Sequence, residues 1–193
     1  MNRKAVFLDR DGVLVRDTGP STTFESDLIL PGAVEAIATL TAAGFLNIIV
    51  TNQTVIARGL LTREVVEGIH ERLTACLSEG GGSIDAVYVC PHHPDATLPE
   101  YRVDCQCRKP APGMLIQAAA DLGIDFSRSF LIGDRLSDIA AGHRVGVRTI
   151  LLESGRHEDE PIRSSQWPVS APVPDFRCAS LSEAVERILE EAS

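Results

Sequence analysis

The stretch CPHHPDATLPEYRVDCQCRKP, residues 90–110, holds three of the chain's five cysteines and two of its five histidines. Cys90-x-His92, twelve residues, then Cys105-x-Cys107 supplies three thiolates and an imidazole. That is a common tetrahedral zinc set, and four protein ligands leave no open coordination position, so such a site is structural. His93 offers a competing imidazole. The alternative is a pair of loop disulfides, although clustered cysteines in a cytosolic chain more often mean metal. Cys76 and Cys178 stand apart and read as small buried apolar residues.

Three other stretches end apolar runs on polar groups. FLDRDG gives Asp9 and Asp11, IVTNQ gives Thr51 and Asn52, and LIGDRLSD gives Asp134 and Arg135. A carboxylate directly after an apolar strand is costly to bury without a partner. A turn or helix cap explains one such acid, DG being a common turn pair. It explains three polar strand ends poorly. In an open parallel sheet, ligands bind beyond the carboxyl ends of the strands, so these groups can converge on one crevice.

The elements that must position them alternate. Runs 4–9, 46–52, 86–90, 129–134 and 147–152 are short, apolar and β-branched, and read as strands. Between them, 31–44, 61–82 and 111–123 carry apolar residues at helical spacing, with Gly44 and Gly123 as stops and Pro112 at a first turn. SLSEAVERILEE, 180–191, is a closing helix with Ser180 and Glu183 in a capping-box pattern. Buried strands separated by helices predict a doubly wound parallel α/β sheet, Rossmann-like, covered on both faces. Residues 154–175, with four prolines, read as an irregular surface segment.

Bulk composition bounds the rest. At 193 residues, 44% hydrophobic and 23% charged, the chain reads as one domain, 1–193. No apolar run suits a signal peptide or a membrane span, so a cytoplasmic protein without a membrane partner is expected. A net charge of −9 argues against a nucleic-acid surface, not against a small anionic substrate.

Taken in order, DRDGVLV (9–15), VTNQ (50–53), RKP (108–110) and GDRLSD (133–138) resemble the four motifs of the haloacid dehalogenase superfamily of phosphatases. The resemblance implies phosphoryl transfer through an aspartyl-phosphate. Asp9 is then the nucleophile, and Asp11 the acid that protonates the leaving oxygen and the base that later activates water. Asp9, Asp134 and the Asp11 carbonyl hold Mg²⁺. Lys109, Thr51 and Asn52 face the phosphate, and Arg108 and Arg135 contact the substrate. Asp138 is either a further acid of the metal site or a first-turn acid favoured by the helix dipole; both readings stay open.

A zinc loop, 90–107, within such a core is similar to one branch of the superfamily, and there the first histidine, His92, is the ligand. That branch contains the D-glycero-D-manno-heptose 1,7-bisphosphate phosphatases and the histidinol-phosphate phosphatases. The long spacer before Cys105 and IARG (56–59) resemble the heptose side. The resemblance implies a small phosphorylated sugar as substrate, loss of its 7-phosphate and no large cap domain; histidinol phosphate or another small sugar phosphate is the alternative substrate, a non-catalytic zinc-stapled binding module is the alternative of another class, and a monomer is expected. Asp17, Thr18 and Gly19 match the sugar-contacting stretch. Two departures concern the sugar side: Gly19-Pro20 stands where the branch has Gly-Tyr, and Thr54-Val55 where it has Ser-Gly. Valine resists the positive φ open to glycine, so that loop is expected to run differently.

Overall fold

The computed structural model describes residues 3–19, 23–153 and 171–192. Pro20 and residues 154–170, most of the proline-rich segment, lie outside the described residues.

Six strands form one parallel sheet: β1 (Ala5–Leu8), β2 (Leu46–Asn52), β3 (Ala86–Cys90), β4 (Phe130–Gly133), β5 (Arg148–Leu152) and β6 (Phe176–Cys178). The strand order is β3-β2-β1-β4-β5-β6, so the order reverses between β1 and β4. That reversal is where a crevice opens at the carboxyl edge of a doubly wound sheet.

Alternation along the strands divides the core. Val6, Leu8, Ile49, Phe130, Ile132 and Ile150 face helices α1 (Ala33–Ala42), α3 (Arg63–Ser78) and α6 (Leu181–Glu191). Ala5, Phe7, Ile48, Val50 and Leu131 face α4 (Gly113–Leu122) and α5 (Leu136–His143). Period-2 strands buried on both faces read as continuous apolar runs, which is why the sequence announces them so plainly.

Three local features differ from the sequence reading. Helix α3 begins at Arg63, two residues inside the expected start, because the Thr62 hydroxyl accepts the Val65 N–H at 3.4 Å and caps it. A one-turn helix, α2 (Thr54–Ala57), precedes it. Val55 sits within that turn, where no positive φ is required, and Gly59 at φ +68 makes the reversal after it. Strand β6 lies just beyond the segment read as irregular. Three residues are too few to show periodicity, and Asp175 fixes the strand's entry by accepting the Thr149 N–H at 2.7 Å. At α6, Ser180 Oγ accepts the Glu183 N–H at 3.2 Å, while the Glu183 carboxylate reaches the N–H of Ala179, one residue before the cap. Among the described residues, no helix is long and apolar enough to cross a membrane.

Candidate active site

The carboxyl ends of β1, β2 and β4 bring the predicted groups together. Asp9 N–H donates to the Ile132 carbonyl at 2.9 Å, which ties the first residue after β1 to β4. Gly12 then turns the chain at φ +81, and a Cβ there would run into the Asp134 carboxylate. Both the conformation and the close approach require glycine. Gly133 is equally confined, since its Cβ would meet the Asp138 carboxylate.

Asp9, Asp134 and Asp138 are all buried, and one oxygen from each lies within 4.8 Å of the others. Lys109 Nζ reaches three acceptors: the Val50 carbonyl at 2.7 Å, Asp9 Oδ1 at 3.1 Å and Asp138 Oδ1. Burial works against the ammonium, but the Asp138 and Asp9 carboxylates outweigh it and push its pKa up. Burial pushes the Asp9 carboxyl up to about 7; Lys109 opposes that, and Asp138 and Asp11 add to it. Asp138 is thus a partner of Lys109, and its other oxygen accepts the Arg135 N–H at 3.1 Å at the start of α5. Three buried carboxylates face one buried ammonium, and the Arg135 guanidinium comes only to 3.9 Å from Asp134. This oxygen-only, net-negative cluster fits a hard divalent cation such as Mg²⁺.

Asn52 follows Thr51 at the end of β2. Its amide clamps the Lys109 backbone, donating to the carbonyl and accepting the N–H, both at 3.1 Å. It holds the lysine's main chain. Thr51 is buried, with its hydroxyl oxygen accepting from Gln53 Nε2 at 2.9 Å. In the loop after β1, Asp17 Oδ1 accepts the Gly19 N–H at 3.0 Å, and its other oxygen stands 4.0 Å from Arg135. Thr18 and Gly19 line a cleft with Arg10, Asp11 and Gln53. Arg108 donates to the His92 carbonyl at 3.3 Å, at the exit of the cysteine loop.

In that loop, Cys90, His92, Cys105 and Cys107 converge. The closest pairs run from Cys90–Cys107 at 3.0 Å to Cys90–His92 Nδ1 at 3.8 Å. A zinc tetrahedron of ordinary bond lengths has edges of about 3.5–3.8 Å. The sulfurs are far outside the roughly 2 Å of a disulfide, and all three cysteines are free. The Cys90 thiol draws Cys107 down to about 5, while its hydrogen bond with Cys107, with burial, pushes Cys90 up. Three thiols this close cannot all ionise without a cation between them, which is the condition Zn²⁺ meets. His93 Nδ1 instead accepts the Asp95 N–H at 3.0 Å in a local turn.

Two functional-looking side chains went unassigned in the sequence. Arg10 donates from Nε and Nη2 to Asp11 at 2.8–3.0 Å, and from Nη2 to Gln53 Oε1 at 3.0 Å. His70, on α3, receives Arg10 Nη1 at 3.1 Å. The signal for His70 was available: it stands four residues after Val66 and three before Leu73, on the helix's apolar stripe.

Comparison with known proteins agrees with this arrangement. A family model described as HAD-hydrolase-like matches residues 106–184. The D-glycero-D-manno-heptose-1,7-bisphosphate 7-phosphatase of Chlorobaculum tepidum is 43% identical over 188 residues, covering 94% of this chain and 92% of that protein. The D-glycero-beta-D-manno-heptose-1,7-bisphosphate 7-phosphatase of Escherichia coli K12 is 38% identical over 185 residues, covering 95% and 94%. The crystal structure of D,D-heptose 1,7-bisphosphate phosphatase from B. bronchiseptica, complexed with magnesium and phosphate, superposes with a TM-score of 0.79 at 32% identity. That match covers 98% of this chain and 99% of the other. The chain belongs to the heptose-bisphosphate phosphatase family of HAD-like hydrolases.

Proposed function

We propose that this protein is a Mg²⁺-dependent phosphatase that removes the 7-phosphate of D-glycero-D-manno-heptose 1,7-bisphosphate. The observation that carries the chemistry is the buried Asp9, flanked by Lys109 and by the Asp134 and Asp138 carboxylates at one sheet edge. The sugar rests on near full-length similarity to proteins that bear this name.

Asp9 Oδ1 accepts hydrogen bonds from Arg10 N–H at 2.7 Å and from Lys109, which leaves Oδ2 to attack phosphorus. The new Asp9–phosphorus bond forms as the phosphorus–sugar oxygen bond breaks, and the Asp11 proton goes to the leaving oxygen. Water then attacks phosphorus and gives its proton to Asp11; phosphate leaves and the Asp9 carboxylate is restored. Lys109 holds positive charge beside the transferring group. Mg²⁺, held by Asp9, Asp134 and the Asp11 carbonyl, offsets repulsion between carboxylate and phosphate. Zn²⁺ staples the loop that ends in Arg108 and Lys109. Asp17, Thr18, Gly19, Arg108 and Arg135 contact the sugar or its phosphate, with Thr51 on the phosphate.

The reading includes a single domain acting as a monomer in the cytoplasm; the large exposed apolar side chains among the described residues, Leu60, Val103, Ile116 and Val173, fall on four separate segments.

The test is phosphate release from purified protein on a panel: α- and β-heptose bisphosphates, histidinol phosphate and simple sugar phosphates. Heptose bisphosphate is expected to give the highest kcat/KM, with the 1-phosphate retained. Preference for histidinol phosphate would overturn the sugar assignment. Asp9→Asn is expected to abolish turnover, and an active variant would overturn the nucleophile.

A further inference from the structure

His70 is a buried polar residue on the apolar face of α3, 5% exposed, with buried Val66 and Leu73 one turn to either side. A leucine would satisfy the packing there, and burying an imidazole is unfavourable unless it is hydrogen-bonded. Its Nε2 lies 3.1 Å from Arg10 Nη1. A guanidinium has only donors, so Nε2 must accept, and the ring is neutral with its proton on Nδ1. Burial and the Arg10 cation hold the ring in that state, drawing its pKa down to about 4.

Beyond His70 lies a closed ring of side chains. Arg10 donates to both Asp11 and Gln53, and Gln53 Nε2 donates to Asp11 Oδ2 at 2.8 Å and to Thr51 Oγ1 at 2.9 Å. Arg10, Asp11 and Gln53 therefore fix one another's planes, since a guanidinium presents its donors in a rigid fork. Gln53 ties the ring to the end of β2 through Thr51 and through its own N–H, which donates to the Cys90 carbonyl at 2.8 Å. The ring's contact with α3 is through His70.

We propose that His70 is a positioning residue for proton transfer: by accepting from Arg10 it fixes the guanidinium, and through it the place at which the Asp11 carboxyl is held. The inference rests on the reading of Asp11 as the acid that protonates the leaving group.

The experiment compares kcat/KM on two leaving groups, because that ratio reports the step in which the sugar oxygen departs. One substrate is the best alkyl phosphomonoester of the panel, whose alkoxide needs a proton. The other is p-nitrophenyl phosphate, whose phenolate leaves as a stable anion. Asp11→Asn is the reference, expected to lose two or more orders of magnitude (roughly 10²-fold or beyond) on the alkyl substrate and far less on the aryl one. His70→Leu is expected to lose about tenfold on the alkyl substrate, the scale of one charge-assisted hydrogen bond, and less than about twofold on the aryl one. His70→Gln, which keeps an acceptor at the reach of Nε2, is expected to recover most of the loss. Equal losses on both substrates, no loss with leucine, or no recovery with glutamine would each overturn the role of His70. An unselective Asp11→Asn would overturn the acid role of Asp11 beneath it, and the two failures are separable.

Discussion

Lys109→Met keeps the length of the side chain and removes its charge. In the folded protein the lysine side chain is 2% exposed, and its partners are 9% (Asp9) and 0% (Asp138) exposed. Breaking a buried ion pair by deleting one partner costs about 3–5 kcal/mol, because the other charge is left without compensation. For a domain of this size each kcal/mol lowers Tm by about 2–4 °C, so metal-free Lys109→Met should unfold some 6–20 °C below the parent. Asp9 already sits at about 7 with Lys109 opposing its burial. Without the lysine its pKa rises further, and the acid limb of the pH–rate profile should move to higher pH. Activity should fall by about 10²–10³-fold, the scale of losing one preorganised charge at the reacting centre. The assays are thermal unfolding with and without Mg²⁺, and phosphate release across pH. Mg²⁺ should recover part of the Tm, since it offsets charge on Asp9 and Asp134, and little of the rate. A variant within 1 kcal/mol of the parent and within tenfold in kcat/KM would refute the account of Lys109 as the charge that makes this carboxylate cluster tolerable.

Cys105→Ser should release zinc, lower Tm and raise KM by about tenfold or more, with a smaller change in kcat. Arg108 hangs on the His92 carbonyl within the loop, whereas Asn52 holds the Lys109 backbone independently of zinc. Metal analysis with steady-state kinetics checks this, and added Mg²⁺ should not restore KM. His70 also gives a pH dependence of stability. Its folded pKa of about 4 lies below the unfolded 6.5, so the unfolded chain binds the proton first and stability falls as pH drops below 6.5. Between pH 7 and 5 that amounts to about 2 kcal/mol, and His70→Gln should lose stability over this window by that much less, read by urea unfolding at the two pH values.

The fold was largely legible because its strands are buried on both faces and stand out as apolar runs. The limits of the helices followed caps, such as Thr62, that only a side-chain hydrogen bond reveals. The acids at strand ends were visible as types in place, but their pairings were not. Asp138 could be read as a metal-site acid or a first-turn acid, and the structure adds a third partner, Lys109, contributed by a loop 29 residues earlier in the chain. Asn52 could be seen beside Thr51 but not its orientation onto the Lys109 main chain. Arg10 sat inside a quoted motif and went unassigned, since nothing local shows that His70 and Gln53 would meet it. Long-range contacts between polar side chains have no period, and so leave no pattern to read.

The clamp of Asn52 on Lys109 bears on how such a protein can change over generations. Lys109 has two anchors, one that depends on a scarce ion and one made of a single carboxamide. A lineage losing access to zinc can shed its cysteines and shorten the loop only while position 52 remains an amide. Once that residue drifts, the thiols become indispensable. The order of substitutions is therefore constrained, and sequences that have lost the cysteines should keep Asn52 more strictly than those that have not.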